Sequence, residues 1–256
     1  MIVDIERDWP RFQYLLGPIV KADASLIEQQ RAVLGEQGVL GGNVGTPGFH
    51  SWFDWFDGGI PALSYLAVDR PALLDELRER HHRRLLEELS HVVEARYDFV
   101  LTGGSGSVTL ASPNLWRKYA LPTLVEICRA CHKHDVPTMV HSCGKERYLL
   151  QTCAHETLLN CINPLEIPPM GDITMVEAKE IVQGTQLSLM GNLHTTDIML
   201  NGSVGQVKAA ARQAIDDAGA GGSFILSTGD QCGWATPDEN IRALVEVAKE
   251  YGSYRQ

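Results

Sequence analysis

The sequence predicts an α/β fold, a (β/α)8 barrel of the TIM type, and three observations predict it. Short apolar strands alternate with single helices along most of the chain, which is the pattern of a parallel sheet. No G-x-G-x-x-G turn opens a helix, so a dinucleotide-binding fold has no support. The residues with chemistry to offer are Gly103, His141, Cys143, Glu166, Asn192, Asp230 and Cys232. All of them fall just after strand ends, on the face where barrel enzymes carry their catalytic groups. A complete barrel needs eight strands, and about six parallel strands are recognisable. Either two strands escape recognition or the chain lacks an opening portion.

Residues 1–36 read as a polar, helical segment that precedes a barrel domain over 37–256. Ser25 is placed as the N-cap of a helix over 26–36, which Gly38 ends. Residues 39–44 read as the first buried strand. The loop after it, GTPGFHSWFDWFDGG, is rich in glycine and aromatics. It suits either a pocket wall or an aromatic plug on the domain's own surface. Pro71 opens a long amphipathic helix to about residue 95, on which His81, His82, Arg83 and Arg84 are expected to face solvent. A strand over 98–102 follows, then GGSGSVTLASP. Ser112-Pro113 should cap and start one helix running to about residue 134.

The stretch TMVHSCG then ends a strand, followed by a helix over 145–154 and a strand over 157–163. A helix over 173–182, a strand over 186–190 and a helix over 204–218 come next. A strand over 223–227 leads into the last helix, 237–251. Asp98 reads as structural.

The composition excludes several classes of function. The chain has 256 residues and a net charge of −10, from 22 basic and 32 acidic side chains. It has no basic run, which argues against nucleic acid or an anionic membrane as the partner. No apolar stretch is long enough to span a bilayer, and MIVDIERDWPRF is no secretory signal. Six cysteines in such a chain read as thiols of a cytoplasmic protein and as candidate ligands. Cys128 and Cys131 have redox or zinc spacing, but they lie within a helical pattern that favours two half-buried helix cysteines.

His141 and Cys143 are two positions apart, so an imidazole and a thiol leave one strand end on the same face. That is half of a zinc site. Glu166, in Asn163-Pro164-Leu165-Glu166 after the next strand, and Cys232, in the loop after the last, can converge on it at a barrel mouth. A His/Cys/Glu/Cys set gives tetrahedral zinc with one carboxylate able to leave. The opened position would take a substrate thiol as thiolate. Asn192, His194 and Glu166 are candidate pocket residues. Asp230 either contacts substrate or caps its loop.

HSCGK, the NPLE loop, GNL after a strand and LSTGDQCGWATPDENI resemble the uroporphyrinogen decarboxylase superfamily, over roughly 37–256 and most strongly from 112. Within it they resemble the zinc-dependent, corrinoid-linked methyltransferases. The His-x-Cys…Glu…Cys order is also similar to the zinc site of cobalamin-independent methionine synthase. The resemblance implies a (β/α)8 barrel and matches His141, Cys143 and Cys232 to zinc ligands and Glu166 to the carboxylate ligand. It implies Zn2+, a corrinoid (methylcobalamin) carried on a partner protein, and a small-molecule thiol acceptor. The expected activity is methyl transfer between the corrinoid and the thiol.

Three departures stand out. The Arg-rich, propionate-gripping N-terminal segment of the decarboxylases is not found, nor is their early Asp. Many methyltransferase relatives carry a cysteine directly after the final Ser-x-Gly, where this chain has Asp230 and places Cys232 two residues later. The chain also begins about two strands late. The sheet edges so exposed would be covered by the first 36 residues or by a homodimer partner. Two alternatives stand beside the methyltransferase: a decarboxylase-like lyase using Asp98 or Asp230, and a non-catalytic barrel that binds corrinoid or a partner.

Overall fold

The structure is a computed structural model that describes residues 1–253. The last residues of the expected 37–256 domain, 254–256, lie outside the described residues. The chain forms two compact units, Met1–Met139 and Val140–Gln256. Its six parallel strands follow one another in the sheet in chain order.

The first unit contains helices α1 (Ile5–Phe12), α2 (Ser25–Leu34), α3 (Phe49–Trp52), α4 (Gly59–Asp69), α5 (Pro71–Glu94), α6 (Pro113–Tyr119) and α7 (Leu121–His132). Strands β1 (Gly41–Asn43) and β2 (Phe99–Gly103) belong to it as well. Gly41 pairs with Phe99 and Asn43 with Leu101. Val44, Leu85, Leu89, Val100, Ile127 and Cys131 form its core. That places the apolar stripe of α5 and α7 against the first two strands, as their helical period requires.

Four expectations for this unit are corrected. Ala24, not Ser25, is the N-cap of α2, and no side chain caps it. The single helix over 113–134 is two helices broken at Ala120, because Pro122 has no N–H to continue a helical ladder. Helix α4 lay unseen behind the glycines of the aromatic loop.

His81 is also not on a solvated face. It is 5% exposed, and Trp52 Nε1 donates to its Nδ1 at 3.0 Å. Trp52 packs edge-on against Tyr119, so the aromatic loop is a plug. The two helix cysteines are fully buried, and burial pushes the Cys128 thiol up to about 11. Asp98 accepts from Leu40 N and from Arg31, which is a structural role.

Strand β3 (Thr138–Ser142) runs across the boundary between the units. The second unit continues with α8 (Arg147–Glu156), β4 (Cys161–Pro164), α9 (Met175–Ile181), β5 (Ser188–Leu193), α10 (Val204–Ala218), β6 (Phe224–Thr228) and α11 (Asp238–Tyr251). Capping boxes at Thr174 and Ser203 start α9 and α10, each closing two otherwise unpaired amides. A π-helical turn, Thr195–Leu200, was not expected.

In the β5–β6 register Asn192 pairs with Ser227 and Leu193 with Thr228. The loops that begin at His194 and Gly229 therefore leave the sheet level with each other. Gly191 sits where a Cβ would come within 2.0 Å of the Pro164 carbonyl oxygen, so glycine alone lets β4 and β5 close. Among the described residues no helix is long and apolar enough to cross a membrane.

Candidate metal centre and adjoining pocket

All of the residues below belong to the second unit. Burial alternates along β3, with Val140 and Ser142 inside and His141 part-exposed between them. Cys143 follows at the strand's end. Gly144 then turns the chain at φ +96°, a backbone conformation that favours glycine. The Gly144 N–H donates to Glu166 Oε2 at 2.7 Å, which ties this turn to the loop after β4.

His141 is held by a partner on β4. Its Nδ1 lies 2.8 Å from Asn163 Oδ1. An amide oxygen only accepts, so Nδ1 carries the proton and Nε2 presents its lone pair. Nε2 lies 3.9 Å from Asp230 Oδ1, with the two side chains 27% and 31% exposed. Asp230 comes from the loop after β6. There Thr228 Oγ1 donates to its carbonyl and Gln231 N to its Oδ1. Donor atoms of His141, Cys143 and Asp230 all lie within 4.8 Å of one another.

These are a nitrogen, a sulfur and an oxygen donor, reachable from solvent, and they suit a zinc ion. Glu166 and Cys232, expected in the same set, lie outside this group of three. Asp230 takes its place because it directly follows the β6 turn, while Cys232 is two residues further along.

Beside this centre is a cavity of about 60 Å³ lined by Glu166, Ile167, Met170, Asn192, His194, Thr195, Thr196 and Gly229. It adjoins the centre through Gly229, next to Asp230, and through the Glu166–Gly144 bond, next to Cys143. The structure brings Asn192, His194 and Glu166 to one pocket. His194 Nδ1 accepts from Thr196 N at 3.3 Å and Asp197 N at 3.0 Å.

Two residues of the site escaped the sequence reading. Asn163 looked like the last residue of a strand, and its signal was a polar side chain at a strand end next to His141. Glu146 looked like part of a helix start. It is 0% exposed, and no partner makes a hydrogen bond to either carboxyl oxygen. Burial, then the Glu166 and Asp172 carboxylates, push its pKa up to about 9, even though the nearby Leu165 and Glu166 amides draw it part of the way back down. Glu146 is therefore a neutral acid beneath the Glu166 turn.

A donor trio at strand ends could be built on many sheets, so the likeness of the whole chain decides its ancestry. The family model for uroporphyrinogen decarboxylase (URO-D) matches residues 57–251. The chain belongs to the uroporphyrinogen decarboxylase family. Among URO-D-related proteins it is 30% identical over 157 residues to the methylcobamide:CoM methyltransferase MtbA of Methanosarcina mazei, covering 57% of this chain and 40% of that one. It is 30% identical over 165 residues to MtaA of Methanosarcina barkeri, covering 62% and 44%. A methylated-thiol–coenzyme M methyltransferase of Methanosarcina mazei is 27% identical over 150 residues, covering 59% and 37%.

The chain thus spans about two fifths of the length of these curated relatives. A solved methyltransferase from Methanosarcina mazei shares the fold, with a TM-score of 0.72 at 23% identity, over 90% of this chain and 64% of that one. This URO-D chain accordingly has a TIM-barrel-like α/β architecture with six recognisable parallel strands.

Proposed function

We propose that this chain carries the zinc-dependent part of a methyl transfer between a corrinoid, held by a partner protein, and a small thiol. The observation that carries the reading is the convergence of His141, Cys143 and Asp230, with Nε2 of His141 left free by Asn163. The names of the relatives support the same chemistry: methylcobamide on one side, a thiol coenzyme on the other.

In this reading His141 Nε2, the Cys143 thiolate and the Asp230 carboxylate would hold the ion. Three protein donors would leave it a further position open to the substrate sulfur, the pattern of catalytic zinc sites. Bound zinc would supply the Lewis acidity that keeps a thiol deprotonated near neutral pH. The chain's own residues do the positioning. Asn163 fixes the ring of His141, Glu166 fixes the turn after Cys143, and Asn192 and His194 flank the space where the rest of the thiol would lie. Cys232 and Glu166 are the further donors that would compete for the fourth position.

Metal analysis tests this. The expected result is about one zinc per chain, lost in Cys143→Ser. Asp230→Ala should weaken zinc binding more than Cys232→Ser or Glu166→Gln does. The opposite order would restore the ligand set expected from sequence. A folded chain that takes up no zinc would end the proposal.

A further inference from the structure

Two large apolar side chains stand open on the loops that carry the proposed metal centre and its cavity. Among the described residues of the second unit, Met170 and Trp234 are the exposed large apolar side chains in loops that leave the C-terminal ends of strands. Met170 is 56% exposed, and Trp234 at 104% is as open as in an unfolded chain. An indole left in water forgoes the burial of one of the largest apolar surfaces a residue can offer. Tryptophan is also among the residues most enriched where binding partners make their decisive contacts.

Both side chains are presented by hydrogen-bonded turns. The Thr236 N–H donates to the Gly233 carbonyl at 2.9 Å, which puts Trp234 at the first central position of a turn. Thr236 itself is buried and anchors that turn. The Gly171 N–H donates to the Ile167 carbonyl at 3.0 Å, closing a second turn that carries Met170. A Cβ on Gly171 would lie 1.7 Å from the Glu166 carbonyl oxygen, so this turn is pressed against the Glu166 segment. Trp234 follows Asp230 by four residues, at most about 14 Å of extended chain. Met170 lines the small cavity beside the centre, and Trp234 stands outside it.

The proposed transfer says what has to cover this rim. The methyl group of a methylcorrinoid lies on the axis perpendicular to the macrocycle. In-line displacement by a sulfur at the metal centre needs that axis aimed at the sulfur. The sulfur–carbon bond forms as the cobalt–carbon bond breaks, and the electron pair of the broken bond stays on cobalt. The macrocycle therefore has to lie flat across the mouth, with its broad face on the surrounding loops. An open indole and a flexible thioether suit such a face through dispersion and stacking.

We infer that Trp234, together with Met170, is the surface that receives the corrin macrocycle face-on over the His141, Cys143 and Asp230 centre. The inference rests on the proposed corrinoid-to-thiol transfer and adds the contact that positions the methyl donor.

Equilibrium dialysis of methylcobalamin, in the dark, against the metal-loaded chain tests it. Bound corrinoid is read from its visible absorbance, and zinc is measured on the same samples. The unaltered chain should bind saturably and lose part of its tryptophan emission on binding, a loss that Trp234→Phe should abolish. Trp234→Ala should weaken binding about tenfold or more, as the removal of an interfacial anchor does. Trp234→Phe should weaken it much less, and Met170→Ala a few-fold. Both positions are exposed, so the variants should keep the unfolding midpoint and zinc content of the parent. Equal affinity in the parent, Trp234→Ala and Met170→Ala, or no binding to the parent, overturns the inference. A concentration-dependent dimer that Trp234→Ala dissolves, seen by sedimentation with no change in corrinoid affinity, assigns the surface to a second copy and overturns it as well. Zinc retained in any of these outcomes leaves the metal centre standing. Corrinoid held through Trp234 by a chain that takes up no zinc would instead end the zinc reading and keep this surface.

Discussion

Asn163 decides which nitrogen of His141 faces Cys143 and Asp230. Without its oxygen at 2.8 Å the ring can adopt the other tautomer or turn away. Partners of this kind are worth about 10–100-fold in metal affinity. Asn163→Ala should lose zinc affinity in that range, measured against a competing chelator, with the fold unchanged by circular dichroism. Glu146 acts in another way. Its folded pKa is raised to about 9 from 4.5, so the native state keeps a proton that the unfolded chain gives up above pH 4.5. The stability linked to this group is therefore complete below pH 4.5 and drains away as pH rises toward 9, at up to about 1.4 kcal/mol per pH unit. Glu146→Gln should flatten that slope. Urea unfolding should show the variant more stable than the parent at pH 8 and about equal to it near pH 4.

Strand ends and their glycines set the geometry on which those residues act. Gly191 lies on β5 with the Pro164 carbonyl where its side chain would be. Pro164 ends β4, one residue beyond Asn163. Gly191→Ala must push β4 and β5 apart, and overpacking of this kind costs about 1–3 kcal/mol or more. The expected outcome is a lower unfolding midpoint together with weaker zinc binding, since Asn163 moves with β4. A variant as stable as the parent would show that the strands can slide to make room. The same register explains why Asp230, rather than Cys232, meets His141. Leu193 pairs with Thr228, and Asp230 is the second residue past that pair.

At the scale of the molecule, the proposed centre belongs wholly to Val140–Gln256, whereas the aromatic plug around Trp52 and His81 belongs to Met1–Met139. Metal removal should therefore act locally. A ligand at a thousand times its dissociation constant stabilises by about 4 kcal/mol. Stripping zinc with a chelator should lower the unfolding temperature accordingly. Amide exchange should speed up around 141–144, 163–166 and 228–232 and stay unchanged around Trp52 and His81. A uniform loss of protection along the chain would contradict this.

Much of the architecture was readable in the residues. Short apolar strands, a proline opening α5 and the 204–218 helix are local signals, and local sterics and hydrophobic burial act on neighbours in the chain. The nearness of His141 and Cys143 is a local matter too, because they stand two positions apart where β3 ends. What joins them is not local. Whether Asp230 or Cys232 arrives depends on strand register and on hydrogen bonds inside a loop. The tautomer of His141 depends on a side chain 22 positions away. The burial of His81 and Glu146 depends on what packs over them. Spacing along a chain says which groups are neighbours in sequence, whereas ligand sets and shifted proton affinities come from groups brought together across it, and only packing puts those at ångström distances.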